Sequence, residues 1–238
     1  MKAVLWDMDG TLVNTEPLWG IATYELGEAL GRPLTAEVRA QTVGGTTPNT
    51  VRICAQWAGV TLTDAKLDHW CRFMRRRVAE LFSDAIPFIP GARELLVALR
   101  EAHIPLALVT NTARELTEHT LDSIGRHWFE LTLCSDEVVA GKPDPTMYRE
   151  AARRLGLAPD DCLVLEDSAA GMTAGRDAGC RVLGLPSPGV VAPDGVLIKE
   201  AENGDDHPLV GVTVDDLRSF YAEAGQNRQI KATTAPVL

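Results

Sequence analysis

The hydrophobic pattern divides the chain into one short strand, a long helical segment, and a region in which strands and helices alternate. Four apolar residues, Ala3–Trp6, predict a buried strand. From residue 18 to about residue 82, apolar positions recur at helical intervals, with breaks near Gly31 and Gly59. The prolines between residues 85 and 90 exclude regular helix and therefore mark a linker.

Strands and helices alternate after the linker. The pattern predicts helices at 92–103, 114–124, 146–155 and 169–178, and strands at 104–109, 131–134, 162–165 and 180–185. This alternation predicts a parallel sheet with helices on both faces, and the helical segment is then an insertion after the first strand. We expect an α/β fold with a Rossmann-like core at 1–15 and 88–225, a helical domain at 16–87, and a flexible tail at 226–238.

Composition and charge narrow the possible partners. The 238 residues are 45% hydrophobic and 24% charged, which is ordinary for a globular protein, and the five scattered cysteines predict buried thiols. The net charge of −10 argues against broad nucleic-acid binding, and an anionic substrate would need a local cation. No run approaches the roughly 20 apolar residues of a membrane span, and no signal-peptide pattern is visible. We expect a cytoplasmic monomer with no nucleic-acid or membrane partner.

Polar residues gather where the predicted strands end. In open parallel sheets, ligands bind outside the carboxyl ends of the strands. The polar residues at these ends are Asp7, Asp9, Thr110–Thr112 and Glu166–Ser168, and Lys142 lies in a Gly-Lys-Pro loop ahead of a helix. If the sheet is parallel, these residues face one edge of it.

This set of residues suits phosphoryl chemistry. Carboxylate oxygens are hard ligands that suit Mg²⁺, and several acids close together repel one another without a cation. A hydroxyl, backbone N–H groups and a lysine suit the non-bridging oxygens of a phosphoryl group. An aspartate nucleophile beside a metal is a known route to an aspartyl-phosphate, and metal and lysine would stabilise the charge that spreads in transfer.

Four sequence motifs stand at these positions in a fixed order. They are Asp7–Thr11, Leu108–Asn111, Lys142 with Pro143, and Leu165–Ser168 followed by Gly171. Together they resemble the motifs of the haloacid dehalogenase superfamily of phosphatases, in the branch that carries a helical cap inserted after the first motif. The resemblance covers about residues 1 to 185, and it implies that residues 16–87 are the cap.

The resemblance implies roles for the acidic residues. Asp7 would be the nucleophile, and Asp9 would be the general acid for the leaving alcohol and then the base for water. Mg²⁺ would be bound by Asp7, by the main-chain carbonyl of Asp9 and by Asp167. Glu166 would bind the ion directly or through water. The dehalogenase branch lacks the second aspartate, so Asp9 indicates a phosphatase.

The resemblance also implies that Thr110, the Asn111 N–H and Lys142 hold the phosphoryl oxygens. Each motif has a simpler explanation when it is taken alone. The Asp-Gly pair could be a turn, Thr110 a helix N-cap, and Lys142 a surface lysine. Glu166 and Asp167 could charge the first turn of a helix. The order of all four motifs at strand ends favours the functional explanation.

The inserted segment would close over the site and exclude water. Its expected hinges are Asn14–Pro17 and residues 85–90. The turn at Gly44–Thr47 has the place of a specificity loop in related caps, and Trp19, Gly45, Thr46 and Thr47 are possible specificity residues. We interpret Arg75–Arg77 as a solvated helix face, with substrate steering as the alternative. Residues 205–207 are interpreted as a polar surface loop.

The expected substrate is a small phosphate monoester, such as a sugar phosphate or phosphoglycolate. The chain resembles the β-phosphoglucomutase-like and sugar-phosphate phosphatases, and Glu16–Trp19 leans toward the hexose-phosphate phosphatases. The mutases carry an arginine in the cap loop that grips a second phosphate, whereas residues 44–48 contain none. A phosphosugar mutase and a non-catalytic phospholigand-binding protein remain the alternatives.

Overall fold

The computed structural model describes residues 1–82, 86–187, 189–202 and 204–234, with side chains as far as residue 226. The strands are β1 (Ala3–Trp6), β2 (Leu106–Thr110), β3 (Leu131–Cys134), β4 (Cys162–Glu166), β5 (Arg181–Gly184) and β6 (Leu197–Ile198). The α-helices are α1 (Glu16–Ala29), α2 (Ala36–Ala40), α3 (Thr47–Ala58), α4 (Asp64–Leu81), α5 (Ala92–Glu101), α6 (Arg114–Ile124), α7 (Thr146–Arg154), α8 (Ala169–Ala178) and α9 (Val214–Thr234).

The strands form one parallel sheet in the order β3-β2-β1-β4-β5-β6. In β1, Leu5 is in register with Ala107 on one side and with Val164 on the other. The chain runs outward from β1 to β3 on one side and then from β4 to β6 on the other. This reversal opens a crevice outside the carboxyl ends of β1, β2 and β4, where ligands bind in folds of this kind.

Both faces of the sheet are covered, which is why the central strands are continuous apolar runs. On one face, Trp6 and Leu108 pack in a cluster with residues of α5 and α6. On the other face, Leu5 and Val109 pack in a second cluster with residues of α7 and α8. The predicted α/β class, with a Rossmann-like parallel sheet, is confirmed.

Four helices, α1 to α4, occupy the chain between β1 and α5. Their shared interior includes Leu26 of α1, Val51 and Cys54 of α3, and Met74 and Val78 of α4, all buried in one cluster. The helices are therefore held by an aliphatic interior of their own, which is continuous with one face of the sheet.

Threonine side chains define the start of three of these helices. Thr35, Thr46 and Thr63 each accept a hydrogen bond from the backbone N–H three residues later, as an N-cap does. The predicted breaks near Gly31 and Gly59 coincide with the ends of α1 and α3.

The two chain segments that connect the helices to the sheet lie side by side. The Asn14 N–H donates to the Pro87 carbonyl at 2.9 Å, and Val13 forms an antiparallel bridge with Phe88. These segments contain the predicted hinges at 14–17 and 85–90, of which Ala85 lies outside the described residues. A motion of the helices relative to the sheet would pass through this pair of segments.

The last part of the chain was not predicted in detail. Strand β6 has only two residues, which is too short for a periodic pattern. In α9, few side chains such as Leu217 are buried, so its apolar pattern is weak. Helix α9 continues to Thr234 and so overlaps the predicted tail at 226–238, of which 235–238 lie outside the described residues.

Two further features of the fold concern the cysteines and the character of the helices. All five cysteines are buried, as predicted. Within the described ranges, we find no helix that has both the length and the apolar character needed to cross a bilayer.

Candidate active site

The loops that follow β1, β2 and β4 bring the predicted residues together at one edge of the sheet. Asp7 follows β1, Asn111 follows β2, and Asp167 follows β4. The Asp7 N–H donates to the Leu165 carbonyl at 3.1 Å, so the first loop is fixed against β4. All three residues are buried although they are polar, which requires that their side chains find partners.

The buried side chain of Lys142 donates hydrogen bonds to two acids of the site. Its Nζ donates to Asp7 Oδ1 at 2.6 Å, to Glu166 Oε1 at 2.5 Å and to the Val109 carbonyl at 2.8 Å. Burial alone would lower the pKa of Lys142, but the charges of Asp7 and Glu166 raise it above its ordinary value. The lysine therefore stays charged inside the protein, and it is not an ordinary surface residue.

Three buried carboxylates form a cluster that could hold a metal ion. Oxygens of Asp7, Glu166 and Asp167 lie within 4.8 Å of one another. Burial and the charge of Glu166 raise the pKa of Asp7 well above its ordinary value, against the effect of Lys142. Burial and the same neighbour raise the pKa of Asp167 to about 7. One lysine does not balance three acids, so the cluster has a deficit of positive charge.

The two acids after β4 have different partners. Both oxygens of Glu166 accept hydrogen bonds, one from Lys142 and from the Tyr148 hydroxyl at 2.7 Å, and the other from the Ser168 hydroxyl at 3.1 Å. Asp167 accepts from the Ser187 hydroxyl at 2.6 Å and from the Thr11 hydroxyl at 3.4 Å. Glu166 is thus the more fully satisfied of the two and chiefly holds the lysine in place.

Gly10 allows the first motif to reach the acidic cluster. Its φ is +86°, a left-handed conformation that favours glycine, and a Cβ at this position would overlap the carboxylate of Asp167. The turn that Asp9–Gly10 forms is therefore part of the site geometry. The Asp-Gly pair therefore forms a turn, as the simpler explanation has it, and that turn lies against the acidic cluster.

Asp9 stands apart from the acidic cluster and has donors on both of its oxygens. Oδ1 accepts from the Thr15 hydroxyl at 2.6 Å and from Trp19 Nε1 at 3.0 Å. Oδ2 accepts from the Thr112 hydroxyl at 2.7 Å and from the Thr110 hydroxyl at 3.3 Å. The first pair comes from the hinge and α1 and the second pair lies at the carboxyl end of β2, so the helices and the sheet position this carboxyl jointly.

Asn111 joins the inserted helices to the core. Its Nδ2 donates to the Gly44 carbonyl at 2.8 Å and to the Lys142 carbonyl at 3.0 Å, and its Oδ1 accepts from the Lys142 N–H at 2.8 Å. The backbone at Gly44 approaches so closely that a Cβ there would lie 2.7 Å from the Ser168 hydroxyl oxygen. The loop after α2 therefore rests directly on the site.

A pocket lies between the sheet edge and the helices. From the core it is lined by Asp7, Asp9, Thr110, Asn111, Thr112, Asp167 and Ser168, and from the helices by Glu16, Trp19, Thr23, Arg39, Thr42, Val43, Gly44, Gly45 and Thr50. Lys142 and Glu166 lie beneath this surface, where Lys142 contacts both Asp7 and Glu166.

The structure places the four predicted specificity residues differently. Trp19 and Gly45 line the pocket. Thr46 and Thr47 are not among its described lining residues, because Thr46 caps α3 and the side chain of Thr47 is buried at the start of that helix. The apex of the predicted loop therefore serves the helix, and the glycines before it face the pocket.

Several residues of the site were given no role from the sequence. Tyr148, Ser187 and Thr112 hold the acids, and Arg39 enters the pocket from α2. They belong to no contiguous motif. Only Thr112, two residues after Thr110, had a detectable signal, because it continues the polar run at a strand end.

Outside the site, Arg77 supports the interpretation of a solvated helix face. It pairs with Glu25 at 2.6 Å and with Glu80 at 3.1 Å, and both acids belong to the helical bundle. A cation that already has two carboxylate partners attracts an incoming anion only weakly.

The part of the chain that contains these motifs also matches known proteins. A model of the haloacid dehalogenase-like hydrolases matches residues 1–179. The phosphorylated carbohydrates phosphatase of Thermotoga maritima is 32% identical over 187 residues, which are 78% of this chain and 85% of that protein. Hexitol phosphatase A of Escherichia coli is 30% identical over 199 residues, covering 79% of this chain and 84% of that protein.

A solved structure gives the same answer for the fold. CbbY from Rhodobacter sphaeroides, determined in complex with xylulose-1,5-bisphosphate, superposes with a TM-score of 0.75 at 25% identity. The match covers 91% of this chain and 99% of that one. The family model covers three quarters of the sequence and contains the four motifs whose side chains meet at the sheet edge, and the chain therefore belongs to the haloacid dehalogenase-like hydrolases.

Proposed function

We propose that the chain is a Mg²⁺-dependent phosphatase that hydrolyses small phosphorylated carbohydrates through an aspartyl-phosphate on Asp7. The observation that carries the proposal is the buried contact of Lys142 with Asp7 and Glu166, beside the third acid Asp167. Burying this many charges is costly unless the site binds something that uses them.

The acidic cluster has the chemistry of a Mg²⁺ site. The carboxylate oxygens are hard ligands, they lie close together, and they lack a balancing positive charge. Asp7, Asp167 and the main-chain carbonyl of Asp9 would hold the ion, with Glu166 acting directly or through water. Glu166 accepts more hydrogen bonds than Asp167 does, and this favours the indirect contact. Bound Mg²⁺ would supply positive charge against the acids and the phosphoryl oxygens.

The nucleophile in this proposal is Asp7. Its carboxylate attacks phosphorus, the bond from phosphorus to the substrate oxygen breaks, and the phosphoryl group is transferred to the carboxylate. Lys142, at 2.6 Å, favours the charged form of Asp7 and offsets the charge of the group that arrives. The hydroxyl of Thr110 and the N–H of Asn111 are proposed to bind phosphoryl oxygens.

Asp9 is proposed to move the protons. It gives a proton to the oxygen of the leaving alcohol, and it then takes one from the water that hydrolyses the aspartyl-phosphate. Three of its four partners in this structure are threonine hydroxyls, which can donate or accept. The same pocket can therefore orient Asp9 in its charged and in its neutral form.

The relatives support a carbohydrate phosphate as the substrate. Two relatives that are at least 30% identical over most of their length are named for phosphorylated carbohydrates and for hexitols. The alternative of a phosphosugar mutase has weaker support, because a mutase must hold two phosphates and residues 44–48 contain no cation.

The test is phosphate release from a panel of sugar phosphates, hexitol phosphates, phosphoglycolate and nucleotides, with Mg²⁺ and with EDTA. We expect release from the carbohydrate phosphates with Mg²⁺ only, and none from Asp7→Asn. Asp122→Asn, an exposed acid on α6, is the matched control and should behave as the wild type. Accumulation of an isomeric sugar phosphate would indicate a mutase, and Mg²⁺ binding without turnover would indicate a binding protein.

A further inference from the structure

An ion pair between a buried arginine and a partly exposed glutamate lies on the side of the pocket formed by the helices. Arg39 of α2 donates through Nη2 to Glu16 Oε1 and through Nη1 to the Thr42 hydroxyl at 2.9 Å. The Arg39 side chain is only 10% exposed, yet all three residues line the pocket. A guanidinium has five N–H donors, and the hydrogen bonds found among the described residues use two of them. Arg39 can therefore stay paired with Glu16 and still donate hydrogen bonds to a ligand.

The helical wall of the pocket, which includes Glu16, Thr23, Arg39 and Thr42, carries balanced charges. Arg39 is the one basic side chain among the described residues that line the pocket, and Glu16 neutralises it. Burial raises the pKa of Glu16, and Arg39 opposes that rise. A second phosphate group would bring up to two negative charges to a wall with no surplus of positive charge, in a protein whose net charge is −10.

The wall presents both donors and acceptors of hydrogen bonds. The Thr23 hydroxyl donates to the Trp19 carbonyl at 2.7 Å, and the Thr42 hydroxyl donates to the Arg39 carbonyl at 2.7 Å. With their protons committed, these threonines present oxygen atoms as acceptors, as Glu16 does, while Arg39 presents donors. A hydroxyl group, which donates and accepts at once, complements such a surface better than an anion that only accepts.

We propose that Arg39 and Glu16 form a subsite for the hydroxyl groups of a phosphorylated sugar or polyol, and that this subsite selects monophosphates over bisphosphates. The proposal rests on the phosphatase activity proposed above and deepens it. It also revises the argument from the sequence. A cation does reach the pocket, from α2 and not from residues 44–48, but its partner cancels the charge that a second phosphate would need.

The experiment compares kcat/KM for sorbitol 6-phosphate, sorbitol 1,6-bisphosphate and p-nitrophenyl phosphate with Mg²⁺. The wild type should favour the monophosphate over the bisphosphate by at least about tenfold. Arg39→Gln should lower the ratio of sorbitol 6-phosphate to p-nitrophenyl phosphate by about tenfold, since the latter has no hydroxyl groups to bind. Glu16→Gln should raise the ratio of kcat/KM for the bisphosphate to that for the monophosphate by about tenfold. The charge of Arg39 then has no carboxylate partner and is available to a second phosphate.

Two further variants guard against a purely structural effect. Arg52→Gln removes an exposed arginine from α3 and should leave both ratios at the wild-type values. Arg39→Lys keeps the charge but loses the planar fork, and it should lie between the wild type and Arg39→Gln in the first ratio.

The outcomes separate this proposal from the phosphatase activity itself. Equal losses on sorbitol 6-phosphate and p-nitrophenyl phosphate in Arg39→Gln, or an unchanged bisphosphate ratio in Glu16→Gln, would overturn the subsite while the phosphatase stands. A wild type that hydrolyses none of the three esters with Mg²⁺ would overturn the phosphatase, and the subsite with it.

Discussion

The floor of the pocket and its helical wall differ in the balance of their charges. The floor consists of Asp7, Lys142, Glu166 and Asp167. On the floor, Lys142 meets Asp7 and Glu166 with Asp167 beside them, so that negative charge exceeds positive charge. On the wall, Arg39 meets Glu16 alone, and hydroxyl groups surround the pair. The floor therefore suits a dication and a phosphoryl group, and the wall suits the neutral, hydroxylated remainder of a substrate. Reaction and selectivity are assigned to different parts of the chain.

The largest effect is expected at the centre of the floor. Lys142→Met leaves Asp7 and Glu166 buried without their cation, which should cost about 3–5 kcal/mol of the free energy of unfolding in Mg²⁺-free buffer. It should also lower kcat by about 1000-fold. Denaturant unfolding and phosphate release measure the two effects. Lys66→Met, an exposed lysine of α4, should change either by little, and a similar loss in both variants would contradict the central place of Lys142.

The second effect separates Asp9 from the acidic cluster. Asp9→Asn removes the group that moves protons but leaves Asp7, Glu166 and Asp167 in place, so turnover of a sugar phosphate should fall by roughly 100-fold or more. Mg²⁺ affinity, measured by calorimetry, should stay within about threefold of the wild type. Unchanged turnover would remove the proposed role, and lost Mg²⁺ binding would assign Asp9 to the floor.

The third effect tests the junction between floor and wall. Asn111→Ala deletes one hydrogen bond to Gly44 and two to Lys142. We therefore expect kcat/KM for a sugar phosphate to fall by about tenfold and the free energy of unfolding to fall by about 1–3 kcal/mol. Asn49→Ala changes an exposed asparagine of α3 and serves as the control. If both variants lose the same amount, the junction contributes nothing specific.

The smallest effect concerns pH. Because the pKa of Asp7 and of Asp167 is raised on folding, the Mg²⁺-free folded protein binds more protons than the unfolded chain between about pH 4 and pH 7. Its stability should therefore fall as pH rises through that range. Mg²⁺ should raise the melting temperature more at pH 8 than at pH 5.5, by a few degrees. An equal increase at both values would contradict the charge deficit of the floor, and Asp167→Asn should weaken the pH dependence.

The floor could be predicted from the sequence, and the reason is topological. Asp7, Asp9, Thr110, Asn111 and Asp167 each lie within three residues of a strand end. Once the apolar runs predicted a parallel sheet, the carboxyl ends had to meet at one edge. Local sequence was sufficient because the strands themselves determine where these side chains stand.

The wall could not be predicted in the same way. Arg39 and Glu16 are 23 residues apart, and they meet only because α1 and α2 pack at an angle that no periodic pattern specifies. The resemblance pointed to Gly44–Thr47, and the structure brings only its glycines to the pocket. Packing between helices, and not a motif, decides which side chains face the substrate.

The central claim is that the phosphoryl group is transferred to Asp7. The most direct measurement is rapid mixing of Asp9→Asn with p-nitrophenyl phosphate and Mg²⁺, because nitrophenolate leaves without an acid while hydrolysis of the aspartyl-phosphate is slowed. We predict a fast release of about one nitrophenolate per enzyme followed by slow turnover, absent with EDTA and in the Asp7→Asn/Asp9→Asn variant. Slow release with no fast phase, or a fast phase that persists without Asp7, would contradict the account.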